Sequence, residues 1–139
     1  MDRIIGIDYG YKRIGIALSD PLGYTAQPIK VIESKGLNKD TDEIAALIAA
    51  SSVTKIVIGL PLNMDGTDGN IMEDVKAFGA RLTEKTGIPA EYYDERLSTA
   101  MVDKMLTDEA DISREKRKKV RDKLSACIIL QSYLDSKSL

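Results

Sequence analysis

The sequence contains no histidine, and this absence excludes more chemistry than any one motif supplies. Ser-His-Asp and Cys-His nucleophilic machinery, His-ligated zinc and histidine general bases are all ruled out. Cysteine is nearly absent too: Cys127 stands alone in an apolar run near the C-terminus, so no internal disulfide can form and a buried thiol is expected. One cysteine and no histidine leave a metal site only oxygen donors, which suit Mg2+ or Mn2+ rather than zinc. No stretch approaches the roughly 18 consecutive apolar residues that a membrane helix needs. Met1-Asp2-Arg3 leads directly into a strand-like run, unlike a secretory signal. The expectation is a cytoplasmic protein without a membrane partner.

The 139 residues, 43% of them hydrophobic, suit a single domain spanning 1–139, with one sheet and covering helices. Net charge is only −2, but it is unevenly spread. Residues 112–139 hold 8 Lys/Arg against 3 Asp/Glu, whereas residues 1–111 hold 12 against 19. The basic excess is concentrated in REKRKKVRDK, residues 114–123, which suits either a solvated helix face or a phosphate-backbone footprint.

Ile4 to Asp8 and Ile14 to Ser19 read as two strands of a hairpin around Gly10-Tyr11-Lys12-Arg13. Gly23 to Ile32 gives a third strand, and Pro21, Gly23 and Pro28 mark it as an edge. After a polar link from Ser34 to Asp40, Ile44, Leu47 and Ile48 have helical spacing, and Lys55 to Leu60 follows as a buried strand. Beyond the loop PLNMDGTDG (61–69), a second helix carries Met72, Val75, Phe78, Gly79 and Leu82 on one face and stops at Gly87 and Pro89. Ala90 to Tyr93 is a fifth strand. Ser98 or Thr99 can cap a helix bearing Met101, Val102, Met105 and Leu106. A last helix from about Ser113 shows a stripe of Val120, Leu124, Cys127, Gln131 and Leu134, and its second half must be buried. A hairpin followed by alternating helices and strands predicts an α/β fold with a five-stranded mixed sheet flanked by helices on both faces. The right-handed crossover rule gives the strand order 3-2-1-4-5.

In that sheet, strands one, four and five bring their C-terminal ends to one edge, where ligands of open α/β sheets bind. Asp8 closes an otherwise apolar strand there, on the face of Ile4 and Gly6. It reads either as a turn residue bonded to the Gly10 or Tyr11 amide or as a functional carboxylate. Two further acids can reach the same edge. Side-chain alternation allows only one of Asp94 and Glu95 to point at it, and Glu95 is preferred; Arg96 can neutralise the other or bind phosphate. Asp122 lies on the last helix among Lys118, Lys119, Arg121 and Lys123, where it either faces the edge or pairs with Lys118 and Lys119 in solvent. The small residues Ser125 and Ala126, one turn on, would let the helix lie close to the sheet. Three converging carboxylates are what a two-metal phosphodiester site requires. Candidate phosphate contacts are Lys12 and Arg13 in the hairpin turn and Asn63 and Gly66 in the 61–69 loop. That loop has no lysine at P-loop spacing, and its acids do not complete an EF-hand.

Four segments in this order, GIDYGYKRIGIALSD, VIGLPLNMDGTDG, DERLST and RDKLSACIILQSYL, resemble the YqgF (RuvX) family of the RNase H-like superfamily. The likeness extends from residue 4 to about residue 134. It implies an RNase H-like fold, a Mg2+- or Mn2+-dependent nuclease, cytoplasmic location, and a role in maturing the 5′ end of 16S rRNA or in resolving Holliday junctions. The family's acidic positions fall on Asp8, Glu95 and Asp122. Related resolvases carry an acid at the end of the fourth strand, where this chain has Gly59-Leu60-Pro61, and the family's usual DERLTT reads DERLST here.

The leading expectation is an endonuclease acting on pre-16S rRNA or branched DNA, in which Lys118 and Lys119 guide the phosphate backbone. A non-catalytic module binding rRNA or the maturing small ribosomal subunit is the first alternative. An ATP-binding protein of the actin and sugar-kinase type is the second, although the chain is less than half the length such two-domain enzymes need. A monomer serves RNA processing, whereas junction resolution calls for a homodimer with two sites.

Overall fold

A computed structural model describes residues 2–60, 71–94 and 114–137, with the side chains of 114–123 excepted. Its strands are β1 (Arg3–Asp8), β2 (Arg13–Ser19), β3 (Ala26–Glu33), β4 (Val53–Leu60) and β5 (Ala90–Asp94). They form one sheet in the order β3-β2-β1-β4-β5, as the crossover argument required. β1, β2 and β3 are antiparallel neighbours, while β4 and β5 run parallel to β1. The described helices are α1 (Leu37–Ala50), α2 (Ile71–Thr86) and α3 (Arg114–Lys137).

Strand alternation sorts the sheet into two cores. Ile5, Ile7, Ile16, Leu18, Ile56 and Ile58 pack against Ile44 and Ile48 of α1 and Val75, Phe78 and Leu82 of α2. On the other face, Ala17 and Val57 meet Ala126, Ile129, Leu130, Tyr133 and Leu134 of α3. The buried face of α2 is the set its spacing predicts: Met72, Val75, Phe78, Gly79 and Leu82. Gly79 belongs there because a Cβ would stand only 3.2 Å from a methyl of Ile58 and would collide with the Tyr92 hydroxyl. Gly87, at φ +74, ends the helix by donating its N–H to the Thr83 carbonyl at 2.8 Å.

Four expectations need correction. The third strand begins at Ala26 rather than Gly23, because Asp20 folds residues 20–25 into a turn. Its carboxylate accepts from the Tyr24 and Thr25 amides and from the Thr25 hydroxyl, with Gly23 at φ +78. The polar link from Ser34 to Asp40 is shorter than its composition suggests. α1 already starts at Leu37, and Asp40, in its first turn, is buried while accepting from the Ser34 hydroxyl and the Lys35 amide. On α3 the buried stripe is rotated from the predicted one and centres on Ala126, Ile129, Leu130 and Tyr133. Gln131 sits at the margin, where its amide accepts from Ala26 N–H and donates to the Tyr24 carbonyl, anchoring the start of β3. Cys127 is half-buried at this margin, its thiol donating to the Ala26 carbonyl and its pKa pushed up by burial. The predicted helix over 101–106 lies outside the described residues.

The end of α3 remote from Asp8 is fixed by a charged cluster. The Tyr133 hydroxyl donates to Glu91 at 2.6 Å and accepts from the Lys55 ammonium at 3.2 Å. That Tyr133 bond, with Lys55 nearby, holds the Glu91 carboxyl below its ordinary range. A depressed native pKa stabilises the fold above the unfolded glutamate value of about 4.3, and the gain is lost as pH falls through the lower native value. Glu91→Gln should therefore lower the melting temperature at neutral pH, the gap from wild type closing on acidification. A gap independent of pH would contradict this assignment.

Close approach is the other feature of α3. A Cβ on Gly6 of β1 would stand 2.7 Å from the Leu130 Cβ and 3.1 Å from the Ala126 carbonyl. Gly6→Ala should destabilise the protein by about 1–3 kcal/mol in urea unfolding, as overpacking of a tight interface does. An unchanged midpoint would mean that the helix does not seat there.

Candidate active site

Asp8 ends β1 at the sheet edge to which β4 and β5 also deliver their C-terminal ends. Its register partner across the hairpin is Gly15. A Cβ on Gly15 would meet the Ala126 Cβ at 3.3 Å and the Asp8 Cβ at 3.7 Å, so a side chain there would crowd both the helix and the carboxylate. Gly6 and Gly15 thus form a shallow floor on which α3 lies, and Asp8 projects onto the same face. The carboxylate is half-buried, and the Ser125 hydroxyl donates to its Oδ2 at 2.5 Å. This replaces the turn-residue reading: among the described residues, the side-chain partner of Asp8 is on α3 rather than in the hairpin. In the sequence Ser125 stands out only for its small size. One hydrogen bond leaves the carboxylate with further lone pairs for other partners.

The parity of β5 decides where Asp94 stands. Leu60 pairs with Asp94 and Gly59 with Tyr93. Leu60 packs on the α1/α2 core and Tyr93 on the α3 core. Asp94 is therefore on the face opposite Asp8. Glu95, Arg96, Asn63 and Gly66 lie outside the described residues. Lys118, Lys119 and Asp122 lie on the described backbone of α3, their side chains outside the description. Asp122 stands one helical turn before Ser125. Lys12, in the hairpin turn, and Arg13, the first residue of β2, are exposed at the Asp8 edge. Among the described residues, no group of three or more His, Cys, Asp or Glu side chains could hold a metal ion. Among those residues, too, no helix is long and apolar enough to cross a membrane.

The hairpin turn is itself held. Lys12 offers its carbonyl to the Ser34 N–H at 2.9 Å, and the Tyr11 hydroxyl donates to Asp74 in the first turn of α2 at 2.5 Å. This contact pushes the Tyr11 hydroxyl up to about 12. Tyr9 packs on Phe78, ring centroids 4.9 Å apart, and meets Tyr11 edge-on at 6.2 Å. The contact between residues 11 and 74 could not be read from sequence, since nothing local links them.

Comparison with known proteins places this geometry in a family. The RuvX model, described as Holliday junction resolvase, matches residues 2–136. A Streptococcus gordonii protein named "Putative pre-16S rRNA nuclease" is 50% identical over 138 residues, covering 96% of this chain and 97% of that one. A Desulforamulus reducens protein of the same name is 52% identical over 134 residues, with the same coverage. Among solved structures, Thermus thermophilus RuvC superposes with a TM-score of 0.61 at 12% identity, covering 98% of this chain and 96% of its own. At that identity the likeness is one of fold, and it bears out the RNase H-like architecture.

Ser125→Ala should lower stability by about 1 kcal/mol, the worth of one hydrogen bond whose remaining partner stays within reach of water. Chemical denaturation checks this, and a gain in stability would show that the Asp8–Ser125 contact is not formed.

Proposed function

We propose that this chain, which belongs to the RuvX family of Holliday junction resolvases, is a metal-dependent endonuclease that trims the 5′ end of pre-16S rRNA in the cytoplasm. The observation carrying the reading is Asp8, seated at the carboxyl edge of the sheet and held by Ser125 of α3. Two more carboxylates complete the proposed site. Asp94 stands on the far face, which supports its neighbour Glu95 as the carboxylate of this edge. Asp122 is one turn before the serine that touches Asp8, which supports its approach to the same edge.

This donor set is all oxygen, and it fits Mg2+ or Mn2+. When bound, such ions supply an activated water and charge stabilisation for the departing oxygen. The chain's own residues do the rest. Asp8, Glu95 and Asp122 would hold the ions, and the Ser125 hydroxyl fixes the rotamer of Asp8 so that its position is set before substrate arrives. Lys12, Arg13, Asn63, Gly66, Arg96, Lys118 and Lys119 contact the phosphate backbone, which orients a strand without reading its sequence. Names borne by relatives about half identical over nearly their whole length favour a ribosomal RNA precursor as substrate, met on the maturing small subunit. The family's description favours a four-way DNA junction as a second substrate, cut by a homodimer.

A cleavage panel of precursor rRNA and four-way junction, each with Mg2+, Mn2+ or chelator, tests the reading. Wild type should cut the precursor only with metal, and Asp8→Asn should lose at least about a hundredfold of that activity with its melting temperature kept. Cleavage by Asp8→Asn at the wild-type rate, or cleavage in chelator, would overturn it.

A further inference from the structure

We infer that Tyr11 is a stacking platform for an unpaired base beside the bond that is cut, so that the substrate enters as a single-stranded or locally unpaired segment rather than continuous duplex. The inference rests on the nuclease reading of the Asp8 edge and specifies its substrate class.

The chain has few aromatic residues: six tyrosines, one phenylalanine and no tryptophan. Tyr11 is nevertheless placed in the turn that begins two residues after Asp8 and is left 56% exposed. It is not a loose side chain. Its ring meets Tyr9 edge-on, Tyr9 rests on the fully buried Phe78, and its hydroxyl is tied to Asp74. The turn beneath it is tight, since a Cβ on Gly10 would stand 2.7 Å from the Arg13 carbonyl oxygen. An aromatic ring held at both ends loses little conformational freedom when a base settles on it, and base–aromatic stacking tolerates any sequence.

The charges around the ring favour a base over a phosphate. Lys12 and Arg13, next in the chain and exposed, offer cations to the backbone. On the other side, the first turn of α2 presents Glu73 and Asp74, which repel it. A strand with a phosphate near Asp8 would then run along the basic side, with a base turned across the sheet edge toward Tyr11 on the α2 side. That base must be unpaired, because a base inside a duplex offers its face only to its own stack. If Tyr11 served only to latch the turn to α2, its hydroxyl would matter and its ring would not.

The full-length protein in chelator, titrated with single-stranded RNA carrying 2-aminopurine at successive positions and with matched duplexes, separates the two roles. Wild type should bind the single strand more tightly than the duplex and quench the probe at one position. Tyr11→Phe, which keeps the ring and its contact with Tyr9 but loses the tie to Asp74, should keep the quenching and bind at most about twofold more weakly. Tyr11→Leu should lose the quenching and bind about fivefold or more weakly at unchanged salt dependence. The double variant Lys12→Gln, Arg13→Gln should flatten the salt dependence and keep the quenching. Equal binding of duplex and single strand, retained quenching in Tyr11→Leu, or equal losses in the Phe and Leu variants would overturn the inference. With metal restored, a wild-type protein that quenches the probe yet cuts nothing would overturn the nuclease reading alone.

Discussion

α3 lies on a part of the sheet that has no side chains to keep it away. Gly6 on β1 and Gly15 on β2 lie diagonally across the hairpin on one face, and each would place a Cβ within 3.3 Å of α3 if it had one. The approach brings Ala126 and Leu130 onto the strands and, on the same helix, sets Ser125 against Asp8. A carboxylate closing an apolar strand is costly unless its oxygens are bonded, and this seating supplies a donor. Packing and site are therefore one feature: filling the second core is what fixes the carboxylate.

The rest of the molecule holds that seating from several directions. Tyr133, between Lys55 and Glu91, secures the far end of α3 to β4 and β5, and Gln131 secures its margin to the start of β3. On the opposite face, α1 and α2 hold the strands from behind, and Tyr11 ties the hairpin turn to α2. The edge bearing Asp8 is thus supported by regular elements on both faces, which fixes the position of its carboxylate. The basic run of 114–123 begins the same helix, so the element that contacts Asp8 also carries the densest positive charge of the chain.

Much of this was legible in the sequence, for identifiable reasons. Alternation in RIIGID put Asp8 on the face of Gly6, and the hairpin followed by helix–strand units gave the sheet order. The face of α2 followed from its 3.6-residue spacing. The face of α3 did not, because after Leu124 the helix is apolar nearly all round and only tertiary contacts choose among its stripes. Turn chemistry hid the start of β3, where Asp20 bonds forward to Tyr24 and Thr25. A backward bond hid the start of α1, where Asp40 reaches Ser34. At the site, Asp8 and the small residues of α3 could be named from sequence, whereas the Ser125 bond spans 117 positions and became visible only in the fold. The face of Asp94 follows from strand parity, which sequence alone cannot phase until the register with Leu60 is known.

We propose that Asp8, Glu95 and Asp122 form one metal site and that Asp94 is not part of it. Calorimetric titration of Mn2+ into the wild-type protein and the variants Asp8→Asn, Glu95→Gln, Asp122→Asn and Asp94→Asn tests it without reference to any substrate. Each of the first three should weaken binding by about tenfold or more, while Asp94→Asn should bind like wild type. Wild-type affinity in Glu95→Gln together with a loss in Asp94→Asn would contradict it.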